Sequence, residues 1–264
     1  MDKAIGSEET SNLRLFGVTA SESGVNLTPS GQYKDPRVRD WPLLGSIWPT
    51  FLIVFTYVYF VFHYGPRYMK NRPAYELKTF IRLYNIFQVV SNAYIVYEIL
   101  AVYPDATALR CDTGDYSWNP DAVRAARACY YVTLLKIVDL IETGLFVLRK
   151  KDNQISFLHV YHHISTVVLS LILTRYFAGG MAVFYPALNS TVHIIMYSYY
   201  FLSSIEGIKK EVHRFKRYVT IIQMNPLCVV PKFPILVMVP NVLVNFYLFY
   251  DFYKKTYLGS KKKK

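Results

Sequence analysis

The pattern of hydrophobic and polar positions divides the chain into long apolar blocks separated by short polar loops. Each block has roughly 20 residues, the length of a helix that crosses a hydrocarbon core of about 30 Å. The blocks cover residues 43–64, 83–103, 129–148, 155–177, 181–205 and 233–253. We therefore predict an all-α, polytopic membrane protein with six to seven transmembrane helices around an interior tunnel.

The ends of the chain differ from this central part. Residues 1–40 are polar and have no apolar h-region, so we expect a polar N-terminal tail with a short docked end and no cleavable signal peptide. Residues 41–255 are predicted to form a single membrane domain, and residues 256–264 a basic tail. Within the domain, residues 218–232 are too short for a complete further span and contain two prolines, which disfavour a helix. A sixth span at 218–232 would therefore be truncated, with 233–253 as the seventh, which leaves six or seven crossings open.

The net charge of +12 raises the question of nucleic-acid binding, so the position of the charges decides how it is interpreted. The basic residues concentrate in the loops after the first, third and fifth spans, and the intervening loops hold few. By the positive-inside rule, the basic loops lie in the cytosol. Since topology accounts for the charge and no basic and aromatic stripe remains, we expect the partner to be a lipid bilayer and not a nucleic acid.

Three spans carry ionisable side chains into the cytosolic half of the predicted membrane domain. A polar group at a helix centre costs roughly 2.5–3.5 kcal/mol or more unless it is partnered, so such a cluster indicates function. The three histidines of the fourth span fall within an arc of about 100° and face one shared space. The residues are Lys136, Asp139 and Glu142 of the third span, His159, His162 and His163 of the fourth, and Asn189 and His193 of the fifth.

Less specific interpretations apply to part of this set. Lys136, Asp139 and Glu142 have the spacing of a structural ion-pair network. A lone intramembrane histidine such as His193 is also a common hydrogen-bond partner between helices. His63 lies at the edge of a span and is interpreted as interfacial, as is His213.

Two chemistries suit the spacing HxxHH in a membrane. One is metal binding, because imidazole is a common ligand for iron and zinc, as in membrane desaturases and hydroxylases. The chain has only 6 histidines and two lie outside the cluster, which is too few for a di-iron centre. The other is acid, base or nucleophilic catalysis by imidazole itself, which needs no metal. A non-enzymatic receptor or transporter with a polar pathway also remains open.

Four segments together resemble the signature of the very-long-chain fatty acid elongases, the ELO family. They are "RCDTGDYS" (110–117), "KIVDLIET" (136–143), "LRKKDNQISFLHVYHH" (148–163) and "NSTVHIIMYSYY" (189–200). The similarity extends over most of residues 40–220. In the acid motif the two carboxylates, Asp139 and Glu142, are exchanged relative to the family, and Pro226 replaces a glutamine of the family's third motif.

The resemblance implies a 3-ketoacyl-CoA synthase of the endoplasmic reticulum membrane that joins a long-chain acyl-CoA to malonyl-CoA and binds no cofactor. It implies that His162 attacks the acyl thioester, that His193 positions or protonates it, and that His159 and His163 tune the nucleophile. Supporting roles fall to neighbouring side chains. Asp139, Glu142 and Asn189 would orient the imidazoles, Lys136 would balance the buried carboxylates, and Lys150, Lys151 and Tyr197 would bind substrate.

Further expectations concern partners and the cysteines. The resemblance implies contacts with other enzymes of the elongation cycle and allows a homodimer. Cys111 and Cys228 both fall on the predicted lumenal side, so an oxidising lumen allows a disulfide between them.

Overall fold

The computed structural model describes residues 34–104, 115–179, 183–205, 207–208, 211–212, 214–215, 218–220 and 232–258, with the side chains of 232–239 and 257–258 excepted. Within these ranges the chain is helical and contains no strand. Seven α-helices have bounds within the described residues: α1 (Trp48–Tyr59), α2 (Gly65–Met69), α3 (Lys78–Val102), α4 (Pro120–Leu148), α5 (Phe157–Tyr176), α6 (Phe184–Ser203) and α7 (Lys232–Tyr253). Cys111, His213, Cys228, most of 218–232 and most of both tails lie outside the described residues, so the predictions about them stay predictions.

The first predicted span is helical to Met69, five residues further than the hydrophobic pattern indicated. A π-helical turn, Phe60–Tyr64, joins α1 directly to α2. Gly65 follows this turn, and a Cβ atom there would lie 2.6 Å from Cγ1 of Val147 and 2.8 Å from the carbonyl oxygen of Phe60. Only glycine therefore lets α2 approach the end of α4 this closely.

The long helices pack in a chain of neighbours. α3 lies against α6 and α4, α4 lies against α5, and α5 contacts α7. Buried apolar side chains fill the seams, with Ile95 of α3 against Val132 of α4, and Tyr57 and Val61 of the first helical segment against Val160 of α5. The described core residues thus lie at the interfaces between adjacent helices.

Large apolar side chains cover the outer faces as well. Phe55 of α1 and Leu83 of α3 are 67% and 62% exposed, which suits a hydrocarbon surrounding better than water. By length and composition, α3 and α5 are apolar enough to cross a membrane. The described helices therefore agree with a membrane protein, and the number of crossings stays a prediction.

Residues 34–45 dock against one end of the bundle through a buried ion pair. Arg37 and Asp35 have fully buried side chains, and their Nη2 and Oδ2 atoms are 2.6 Å apart. The guanidinium also donates to the carbonyl oxygens of Asp115, Ala122 and Ala178, at 2.8, 3.1 and 2.7 Å. These carbonyls precede α4, lie in its first turn and follow α5, so one side chain joins three segments.

Substitution Arg37→Gln is expected to lower the free energy of unfolding by about 3–5 kcal/mol, because it leaves Asp35 as an uncompensated buried charge. Thermal unfolding in detergent measures the change. Arg39→Gln is the matched control, since Arg39 is exposed and close by. Equal unfolding temperatures for the two variants would contradict the role given to Arg37.

Candidate active site

The polar side chains of α4 and α5 meet at the end of the bundle opposite Arg37. Ser156 caps α5, and its hydroxyl accepts the backbone N–H of His159 at 3.2 Å. The cap sets the start of the helix, so that the HxxHH motif occupies its first two turns. These turns lie beside the last turns of α4, where Glu142 and Thr143 are found.

The three histidines of α5 share one space, in agreement with the predicted arc. The ring centroids of His159 and His163 are 4.3 Å apart, and those of His162 and His163 are 5.9 Å apart. Nε2 of His159 is hydrogen bonded to Oγ1 of Thr143 at 2.9 Å. Oε2 of Glu142 lies 3.7 Å from Nε2 of His163. Both of these partners come from α4. The hydrogen bond from Thr143 orients the ring of His159, and the carboxylate of Glu142 lies beside the ring of His163.

A buried charged group links α4 to α6. Nζ of Lys136 lies 3.1 Å from Oδ2 of Asp139 and 3.2 Å from Nε2 of His193. An ammonium group only donates hydrogen bonds, so Nε2 of His193 accepts and the ring proton is on Nδ1. This Nδ1 lies 3.9 Å from Oδ2 of Asp139 and is buried without a hydrogen-bond partner among the described residues. The site thus holds a buried N–H donor for which the described residues supply no hydrogen-bond acceptor.

Helix α3 supports Asp139 through residues that the sequence analysis missed. Nε2 of Gln88 donates to Oδ1 of Asp139 at 2.7 Å and lies 2.8 Å from the hydroxyl of Tyr84. Nδ2 of Asn92 donates to Oε1 of Gln88 at 3.3 Å. Tyr84, Gln88 and Asn92 are buried and spaced by four residues in a predicted span. This spacing places three polar residues on one face of an apolar helix, a pattern in the sequence that could have indicated their part in the site.

Helix α7 reaches the site at His162, a contact that the sequence analysis also missed. Nδ1 of His162 lies 3.2 Å from Oδ1 of Asn245. The ring of Phe249, one turn further, meets the same imidazole edge to face at a centroid distance of 5.7 Å. The histidine predicted as the nucleophile is therefore held between two helices.

Tyr197 and Asn189 differ from their predicted roles. Tyr197 is only 1% exposed, and its hydroxyl lies 3.5 Å from Oδ1 of Asp139, so it belongs to the network around that carboxylate and not to an open substrate surface. The side-chain oxygen of Asn189 is buried without a hydrogen-bond partner among the described residues. It orients no imidazole through this oxygen, because α6 directs the side chain towards a cavity.

That cavity lies between α4, α5 and α6, on the side of Lys136 that leads towards Arg37. Its volume is about 20 Å³, enough for about one water molecule. A cavity of this size does not hold an acyl chain, and the predicted interior tunnel stays a prediction. Ten residues line the cavity: Cys129, Val132, Lys136, Thr166, Ser170, Leu173, Thr174, Tyr185, Pro186 and Asn189. A larger groove of about 430 Å³ lies on the other face of α5, beside Phe62 and Asn241.

One subset of the site has the donors of a metal centre. Ligand atoms of Glu142, His159 and His163 all lie within 4.8 Å of one another. Mixed imidazole and carboxylate donors suit zinc or iron. The arrangement thus agrees with either metal or imidazole chemistry.

Lys150 and Lys151 follow α4 at the same end as the histidines and are exposed. Lys150 has φ 52°, in the left-handed region where glycine is usual. Its N–H donates to the carbonyl of Val147, and that of Lys151 to the carbonyl of Phe146. This pair of hydrogen bonds is a Schellman motif that ends the helix, with lysine in the glycine position.

Substitution Gln88→Leu is expected to destabilise the protein by about 1.5–3 kcal/mol, because it removes a hydrogen bond to the buried carboxylate of Asp139. Thermal unfolding in detergent provides the measurement. Gln154→Leu, in the exposed turn before α5, is the matched control and should unfold like the parent protein. A Gln88→Leu variant as stable as that control would show that Gln88 does not support Asp139.

Comparison with known proteins gives consistent matches. The family model described as ELO, the GNS1/SUR4 family, matches residues 42–264. The chain is 38% identical to mouse very long chain fatty acid elongase 1 over 194 residues, which cover 73% of this chain and 70% of the relative. It is 36% identical to human very long chain fatty acid elongase 4 over 245 residues, covering 87% and 78%. The residues matched by the family model include all five helices that contribute to the polar cluster.

Proposed function

Since the chain belongs to the ELO family and is a condensing enzyme of fatty acid elongation, we propose that it works by acyl transfer through an imidazole. Its substrates are a long-chain acyl-CoA and malonyl-CoA, and its products are 3-ketoacyl-CoA, carbon dioxide and CoA. The main support for this proposal is a cluster towards one end of an apolar bundle, in which four imidazoles lie near the buried Lys136–Asp139 pair.

In the first half-reaction, Nε2 of His162 attacks the thioester carbonyl carbon of the acyl-CoA. The carbon–sulfur bond breaks, and CoA leaves as a thiolate that takes a proton from water. The acyl group remains on the imidazole ring. His162 suits this role because it is half-buried and its Nδ1 is bonded to Asn245, which leaves Nε2 for the substrate.

His193 supplies a hydrogen bond to the reacting carbonyl. Its Nδ1–H is buried and has no acceptor among the described residues, while its Nε2 accepts a hydrogen bond from Lys136. A fixed donor aimed at an oxygen on which negative charge develops stabilises the transition state most in a dry site. Gln88 and Tyr197 contribute indirectly, because they hold Asp139 and thereby Lys136.

In the second half-reaction, malonyl-CoA loses carbon dioxide, and the resulting carbanion attacks the acyl carbon. The bond from this carbon to Nε2 breaks, and His162 returns to its starting form. His159 and His163 adjust the polarity around His162, with Glu142 and Thr143 fixing their orientation. This cycle needs no bound cofactor.

Substrate entry follows from the position of the cluster at one end of the bundle. We place this end at the cytosolic face of the endoplasmic reticulum membrane, in a chain with six to seven crossings. The CoA phosphates would then meet Lys150 and Lys151, and the acyl tail would extend into the cavity between α4, α5 and α6 once this opens. Other enzymes of the elongation cycle, and a second copy of the chain, are proposed partners in the same membrane.

Replacement His162→Ala is expected to abolish incorporation of labelled malonyl-CoA into 3-ketoacyl products by microsomes that contain the protein. The matched control is His63→Ala, because His63 is exposed and lies outside the cluster. Its activity should equal that of the parent chain. Full turnover by a folded His162→Ala variant would exclude this residue as the nucleophile.

The alternative of an iron-dependent desaturase or hydroxylase is tested on the same preparation. Elemental analysis of the purified protein would find iron in stoichiometric amount, and product formation would need oxygen and not malonyl-CoA. A receptor or transporter would form no product with either substrate.

Lys150→Gly should raise the KM for acyl-CoA and at the same time stabilise the protein. Glycine relieves the left-handed backbone strain, roughly 1 kcal/mol, but removes a positive charge from the proposed phosphate site. Lys150→Gln is the matched control, because it removes the charge and keeps the strain. The measurement is KM at low and high salt together with thermal unfolding. An unchanged KM in both variants would exclude Lys150 from CoA binding.

A further inference from the structure

Helix α7 presents three residues to α5 at intervals of four, so that they lie on one face. They are Asn241, Asn245 and Phe249. The second and third contact His162, and Nδ2 of Asn245 lies 2.9 Å from both the backbone oxygen and Oδ1 of Asn241. The face therefore connects two carboxamides in sequence to the ring of His162.

The contacts of Asn245 settle which way its carboxamide points. A backbone carbonyl oxygen can only accept hydrogen bonds, so the atom 2.9 Å from the carbonyl of Asn241 must be the amide nitrogen. The other end of the carboxamide, its oxygen, then faces His162 at 3.2 Å. Since that oxygen has no proton to give, Nδ1 of His162 must be the donor.

We propose that Asn245 is a positioning residue that keeps a proton on Nδ1 of His162 and so directs the lone pair of Nε2 at the substrate. This inference rests on the proposed function, in which His162 is the nucleophile. Phe249 restricts rotation of the same ring from one side. Asn241 prevents the carboxamide of Asn245 from reversing, because its carbonyl would repel the oxygen.

The proton balance of the reaction fits this arrangement. Neutral His162 attacks through Nε2, the carbon–sulfur bond breaks, and the products are an acyl-imidazolium that still carries its Nδ1 proton and a CoA thiolate. The carbanion from malonyl-CoA then takes the acyl group, the carbon–nitrogen bond breaks, and neutral His162 returns with the same proton. The carboxamide oxygen accepts that N–H throughout, and it stabilises the cationic intermediate without taking a proton.

The test measures the first half-reaction alone, as the burst of CoA released when acyl-CoA is mixed with the full-length protein in the absence of malonyl-CoA. Asn245→Leu removes the acceptor at similar volume and should slow the burst about 10- to 100-fold with no change in the KM for acyl-CoA. Asn245→Asp keeps an acceptor oxygen and should recover most of the rate. Leu243→Ala, an exposed neighbour on α7, is the control.

A second readout follows the proton itself. Nitrogen-15 spectra of histidine-labelled protein, with His162→Ala for assignment, should show a protonated Nδ1 at His162 in the parent chain and a mixture of tautomers in Asn245→Leu. Asn241→Leu should give a burst rate and a tautomer ratio between those of the parent chain and Asn245→Leu. If Asn245→Leu does not fold, Asn241→Leu serves as the test of the proposed role of Asn245. An unchanged burst rate in these variants would overturn the role of Asn245. A parent protein that elongates without any CoA burst would instead overturn the acyl-imidazole proposal.

Discussion

The buried pair of Lys136 and Asp139 links three helices of the bundle to one another. Two charges inside an apolar bundle are tolerated only if each also has further hydrogen-bond partners. Gln88 of α3 and Tyr197 of α6 donate hydrogen bonds to the carboxylate of Asp139. Nε2 of His193 accepts a hydrogen bond from the ammonium group of Lys136. These contacts fix the relative positions of α3, α4 and α6, and they set which nitrogen of His193 carries its proton.

The two ends of the bundle have opposite properties, and this suits a substrate with a charged head and an apolar tail. Arg37 closes one end by binding three backbone carbonyls. At the other end, the HxxHH turns of α5 lie next to exposed Lys150 and Lys151. Between them, α4, α5 and α6 line a cavity the size of about one water molecule. A long acyl chain can enter this cavity only if these helices or their side chains move.

Much of this arrangement could be predicted from the sequence, for a physical reason. Ionisable residues in apolar spans are costly, so Lys136, Asp139 and the HxxHH histidines are conspicuous, and helical spacing places them together. Gln88 and Asn245 were missed because an uncharged amide in a span is common, and its partner depends on how helices pack. The extension of the first helix to Met69 depends likewise on a contact, that of Gly65 with Val147. The closed cavity depends on side-chain packing, which residue spacing does not determine.

Locating the acyl group on the protein would test the acyl-imidazole mechanism. The full-length chain would be mixed with a long-chain acyl-CoA in the absence of malonyl-CoA, quenched, digested and analysed by tandem mass spectrometry. Acyl transfer through His162 predicts an adduct with the mass of the acyl group on this residue, which disappears when malonyl-CoA is added. An adduct on His193 alone, or ready formation of product with no adduct on any histidine, would contradict it.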